Sequence, residues 1–271
     1  MAETLAADRL GQHLREIRSL GRTALIGYLV AGDPDLVTTE LVISAVAAAG
    51  VDVLELGIPY SDPLADGPTI AAAGQRALAA GATVETCLDL VQRVQHLVPT
   101  VLFTYLNPVF QFGIERFAQR AARAGAWGVI IPDITVEEID EVRGPLHAHQ
   151  LAMPLLIAPT TNRARAGRIA EASDGFVYVV SRMGVTGERS EPDLDWLRSQ
   201  VEELRQVTDK PLAVGFGIST PVQVGRVAPW ADGVIIGSAL IASYRGHSGG
   251  TAARLAADYV GSLVKGLRKE A

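Results

Sequence analysis

Lysine is nearly missing from this sequence. Lys210, Lys265 and Lys269 are the only three in 271 residues, and none follows a predicted strand, which argues against a Schiff-base nucleophile. Cysteine is scarcer still. Cys87 stands alone, so an internal disulfide and a zinc-spaced cysteine set are both excluded, and burial as a small apolar residue is its ordinary role. A single cysteine also agrees with a reducing compartment. The five histidines, His13, His96, His147, His149 and His247, fall in predicted helices or near chain ends. They offer no metal-ligand cluster and no Ser-His-Asp arrangement, and His147 and His149 read as surface residues. A basic patch is missing too: the net charge is −6, which disfavours nucleic acid as a partner. Residues 1–20 contain Glu3, Asp8, Arg9, Arg15, Glu16 and Arg18, so neither a signal-peptide core nor a membrane span is expected and the cytoplasm is the expected location. Linkers, repeats, low-complexity tracts and an early G-x-G-x-x-G are all lacking, and residues 1–271 are therefore expected to form one domain.

What the chain has is alternation. Short apolar runs at 24–30, 51–58, 100–106, 128–131, 155–158, 176–180, 212–215 and 233–236 read as strands buried on both faces. Helical patterns lie between them, near 36–49, 68–97 with a break at Gly81, 112–124, 136–149, 163–172, 192–206, 219–229 and 250–268. Eight such units predict an α/β fold, a (β/α)8 TIM barrel, rather than an open doubly wound sheet. Leu10, Leu14 and Ile17 add a helix over 7–20 that caps one end. Asp35, Thr135 and Thr220 read as helix starts.

In a barrel the chemistry lies on the loops after the strands. The richest of these is the stretch 54–69, where Glu55 sits inside an apolar strand while Asp62 and Asp66 lie on the Gly/Pro-rich loop beyond it. A carboxylate among apolar neighbours is costly unless paired or protonated, and such groups concentrate at catalytic sites. Turn or capping roles suffice for Asp33 and Asp133. After strands seven and eight, Gly215, Gly217, Gly237 and Ser238 suit a phosphate bound by backbone N–H groups, with Ile235 as part of the wall beneath. The loop 181–190 carries Gly184 and Gly187 with little apolar bulk and reads as a lid. Tyr28, Phe103, Tyr178 and Phe216, all near strand ends, are candidates for the walls of an apolar pocket.

Five motifs occur in order: Y-L-V-A-G-D-P at 28–34, L-E-L-G-I-P-Y-S-D-P-L-A-D-G-P-T-I from residue 54, the segment 105–110, V-S-R-M-G-V-T-G at 180–187 and G-F-G-I-S at 215–219. Together they resemble the tryptophan synthase alpha chain family over nearly the whole sequence. The resemblance implies a lyase that cleaves indole-3-glycerol phosphate into indole and glyceraldehyde 3-phosphate, with no metal and no cofactor. It implies Glu55 and Asp66 as the catalytic pair. Tyr178, Thr186 and Phe216 would contact substrate, and Gly187, Gly217, Gly237 and Ser238 would surround the phosphate. Thr186 would bring its loop down against Asp66. Tyr28 stands where some members have phenylalanine. Asp62, Pro63 and Asn107 match segments that meet a beta chain in an α2β2 heterotetramer, where pyridoxal phosphate belongs to the beta chain alone. The scarcity of lysine speaks against indole-3-glycerol-phosphate synthase, a related barrel. Three alternatives stay open: a different phosphate-binding barrel such as an isomerase, which would need another acid/base pair, a stand-alone lyase on the same substrate, and an inactive barrel that only binds the beta chain.

Overall fold

The computed structural model describes residues 8–180, 193–215 and 217–267. Eight parallel strands form one sheet: β1 (Ala24–Val30), β2 (Val53–Gly57), β3 (Thr100–Phe103), β4 (Gly128–Ile130), β5 (Leu155–Ile157), β6 (Val177–Val180), β7 (Leu212–Gly215) and β8 (Gly233–Ile236). Their order is β4-β3-β2-β1-β8-β7-β6-β5. The ring is nearly closed by one parallel bridge, Gly128 to Ala152, just ahead of β5. All seven residues of β1 are buried, as strands covered by helices outside and by each other inside must be.

The helices are α1 (Arg9–Ser19), α2 (Leu36–Ala49), α3 (Pro68–Ala79), α4 (Val84–Val94), α5 (Leu106–Phe112), α6 (Ile114–Arg123), α7 (Asp140–Ala148), α8 (Arg163–Ala172), α9 (Leu194–Leu204), α10 (Pro221–Val227), α11 (Ser238–Ser243) and α12 (Gly249–Val264). Two expected starts hold. The Asp35 side chain accepts the N–H of Thr38 at 2.7 Å, and Thr220 forms a capping box with Gln223 ahead of Pro221. The third does not. Thr135 instead bonds to Glu138 within a turn, and the regular helix begins at Asp140. The expected strand over 100–106 is also too long, because Leu106 opens α5, whose first N–H is accepted by Asp133 at 2.9 Å. Asp133 is thus a cap, as read, although for a helix supplied by another unit.

Helix α1 closes the N-terminal mouth. Leu10, Leu14 and Ile17 are buried, Arg9 donates to the carbonyl of Ala126 ahead of β4, and Arg18 donates to those of Ala228 and Ala231 ahead of β8. One mouth being sealed, ligands have access at the other, where the strands end.

Register decides what points inward. Tyr28 pairs with Glu55, and Glu55 with Val101. Residues paired in parallel strands share a face, so Tyr28, Glu55 and Val101 belong to one interior layer. A slip of one residue in β2 would turn Glu55 outward under the helices. Gly57, two residues on, also faces inward, and a Cβ there would collide with the Tyr28 hydroxyl.

Candidate active site

A cavity of about 270 Å³ opens at the strand C-termini, lined by Tyr28, Asp66, Ile70, Phe103, Tyr178, Gly217, Ile218, Ser219, Ile235, Gly237, Ser238 and Ala239. The sequence pointed to Tyr28, Asp66, Phe103, Tyr178, Gly217, Ile235, Gly237 and Ser238, and the fold brings these together. Tyr28 and Phe103 meet edge to face with centroids 5.5 Å apart. Ile70, Ile218, Ser219 and Ala239 were not anticipated, although Ile70 and Ser219 close two of the recognised motifs. Gly217 has φ +93°, a region that glycine adopts without a Cβ penalty. Thr186, Gly187 and Phe216, together with the rest of the expected lid, lie outside the described residues.

Gly215 and Glu55 stand outside the lining of the cavity. Gly215 ends β7, and a Cβ on it would meet the Tyr178 hydroxyl. Its smallness makes room for a wall residue.

Glu55 is 0% exposed, and neither carboxyl oxygen has a hydrogen-bond partner among the described residues. Burial without compensation pushes its pKa up to about 8, so near neutrality it carries a proton and can donate as well as accept. Asp66 lies on the loop after β2, partly open to the cavity. Burial raises it to about 6, while a hydrogen bond from the Tyr105 hydroxyl favours its charged form. Around pH 7 the two carboxyl groups therefore differ in charge, as the contrast between a buried strand and an open loop predicts. Both act electrostatically on Tyr28 and Tyr178.

The other polar candidates sort differently. Asp33 is buried and bound by Arg76 through two bonds, of 2.7 and 2.9 Å, a structural ion pair. His147 and His149 are not plain surface residues: each is partly buried and paired with a carboxylate, Asp174 and Glu115 respectively. Burial holds the Cys87 thiol up at about 12, which leaves it unreactive. Among the described residues no group of three or more His, Cys, Asp or Glu is placed to hold a metal, and no helix is long and apolar enough to cross a membrane.

Asp62 is exposed and accepts from Ser61. Pro63 is half-buried, and exposed Asn107 donates to the Tyr60 hydroxyl at 3.1 Å. Leu64 and Phe110 are exposed beside them in sequence, at 82% and 43%.

A family model described as tryptophan synthase alpha chain matches residues 14–263. The chain belongs to the tryptophan synthase alpha chain family. Curated members include that of a Picosynechococcus species, 49% identical over 239 residues, which are 86% of this chain and 89% of that protein. The alpha chain of Prochlorococcus marinus is 46% identical over 97% of this chain and 94% of its own length. Among solved structures, Mycobacterium tuberculosis tryptophan synthase superposes with a TM-score of 0.90 at 37% identity, covering 97% of this chain and 99% of that one. As a tryptophan synthase alpha chain, the protein is a carbon–carbon lyase of tryptophan biosynthesis that cleaves indole-3-glycerol phosphate to indole and glyceraldehyde 3-phosphate.

Proposed function

We propose that Glu55 moves both protons of the cleavage and that Asp66 carries the countercharge, in one barrel domain formed by the whole chain. The observation that supports this most directly is the complete burial of Glu55 without a partner among the described residues, beside a more open Asp66. Protonated Glu55 gives its proton to C3 of the indole ring, and the carboxylate so formed takes the proton of the glycerol hydroxyl next to the breaking bond. As that oxygen becomes a carbonyl, the electrons of the carbon–carbon bond return to the ring and indole leaves. The ring nitrogen is positive in between. Ionised Asp66 accepts its N–H hydrogen bond, strongest at that stage. Tyr28, Phe103, Tyr178 and Ile235 wall the ring, joined by Thr186 and Phe216 from outside the described residues. No cofactor takes part in these steps.

Gly217, Gly237 and Ser238, with Gly187, hold the phosphate at the ends of β7 and β8. Ser238→Ala removes one hydroxyl donor and is expected to weaken binding of glyceraldehyde 3-phosphate about fivefold, on the order of 1 kcal/mol, measured by calorimetry. Unchanged affinity would take Ser238 out of the phosphate site.

Asp62, Pro63 and Asn107 mark the face that meets a pyridoxal-phosphate-dependent beta chain in an α2β2 assembly in the cytoplasm. Exposed Leu64 and Phe110 supply apolar area to the same face. Cleavage of indole-3-glycerol phosphate should be weak for the purified chain and rise at least tenfold when beta chain is added, an activation that Asp62→Ala should reduce. Full activity alone would favour a stand-alone lyase, and none in either case a barrel that only binds.

A further inference from the structure

Tyr105 ends the short segment between β3 and α5. It is 3% exposed, and its ring lies 5.5 Å from that of Tyr60. Its oxygen accepts the N–H of Ala65 at 3.0 Å, which leaves the hydroxyl proton available to the next residue, Asp66, whose charged form the hydroxyl favours. One hydroxyl thus fixes the backbone at Ala65 and acts on the carboxylate of the residue that follows it. The run 58–67 contains no helix or strand, so ladder hydrogen bonds do not position Asp66. The constraint comes from the neighbouring unit.

We propose that Tyr105 is the positioning residue for Asp66: its hydroxyl clamps the loop after β2 and aims the Asp66 carboxylate into the cavity. This rests on the reading of Asp66 as the partner of the ring nitrogen. Tyr105 does not itself line the cavity. The titratable groups near Asp66 are Tyr28 on β1, Glu55 on β2, Tyr178 on β6 and Tyr105, with Asp133 acting on Tyr105. Burial keeps Tyr28, Glu55 and Tyr178 uncharged near neutrality, so the Tyr105 hydroxyl is the neighbour that favours the charged form of Asp66.

The test compares wild type, Tyr105→Phe, Asp66→Asn and a chain carrying 3-fluorotyrosine at position 105. It uses pH profiles of indole release and the ¹³C carboxyl titration of Asp66, assigned by its loss in Asp66→Asn. In Tyr105→Phe we expect kcat to fall about tenfold with KM changed less than about threefold, and the Asp66 midpoint to rise by at least about half a pH unit. In 3-fluorotyrosine protein, a stronger donor of the same shape, the midpoint should fall, which a packing role for the ring would not cause. Midpoints unmoved in both variants, with Asp66→Asn inactive, would overturn the positioning role and leave the reading of Asp66 standing. Asp66→Asn turning over at the wild-type rate would remove the reading, and the proposal with it.

Discussion

Glu55→Gln should lower kcat for indole-3-glycerol phosphate cleavage by about a thousandfold or more while making the protein more stable in alkaline buffer. The loss follows from chemistry: an amide of the same shape neither gives a proton to C3 nor takes one from the hydroxyl. The gain follows from linkage. The folded pKa of Glu55 is raised from 4.5 to about 8, so between those values the folded chain holds a proton that the unfolded chain has released. Wild-type stability is therefore full below the unfolded value and declines as pH rises through the folded one, by several kcal/mol, on the order of 4. Glutamine carries no such charge. The two proteins should melt together near pH 4.5 and separate in favour of the variant by pH 9, as calorimetry would record. Equal differences at both pH values would show that Glu55 is not a buried titrating group, and wild-type turnover would end its catalytic role.

Asp66→Asn should reduce kcat about a hundredfold to a thousandfold, because a neutral amide replaces the charge that faces the ring nitrogen at the moment it becomes positive. The pH dependence gives a second reading. With Asp66 required ionised and titrating at about 6, and Glu55 required protonated and titrating at about 8, wild-type kcat/KM should trace a bell centred near neutrality. In the variant the acid limb should vanish while the alkaline limb remains. An acid limb that persists in Asp66→Asn would assign it to another group.

Much of this was legible from residue order. Strands buried on two faces are apolar nearly throughout, which is why all eight units stood out, and the glycines after strands seven and eight and Glu55 among apolar neighbours pointed to the candidate site. Short helices carry little sequence signal: the seven residues of α5, with Pro108 in the first turn, and the six of α11 are too few to show a period. The roles of Gly57 and Gly215 were hidden for another reason, since the space they leave is filled by Tyr28 and Tyr178 from other strands.

The sequence by itself determined the (β/α)8 class and the family and singled out Glu55 and Asp66 as the candidate pair, because each rests on local pattern or on residues adjacent in the chain. Tertiary structure decided that Glu55 faces inward beside Tyr28, that its carboxyl is left without a partner among the described residues, and that the loop after β2 is fastened at Ala65 by the Tyr105 hydroxyl. Those facts depend on strand register and on contacts across about 40 residues of chain, and such relations exist only once the barrel has nearly closed.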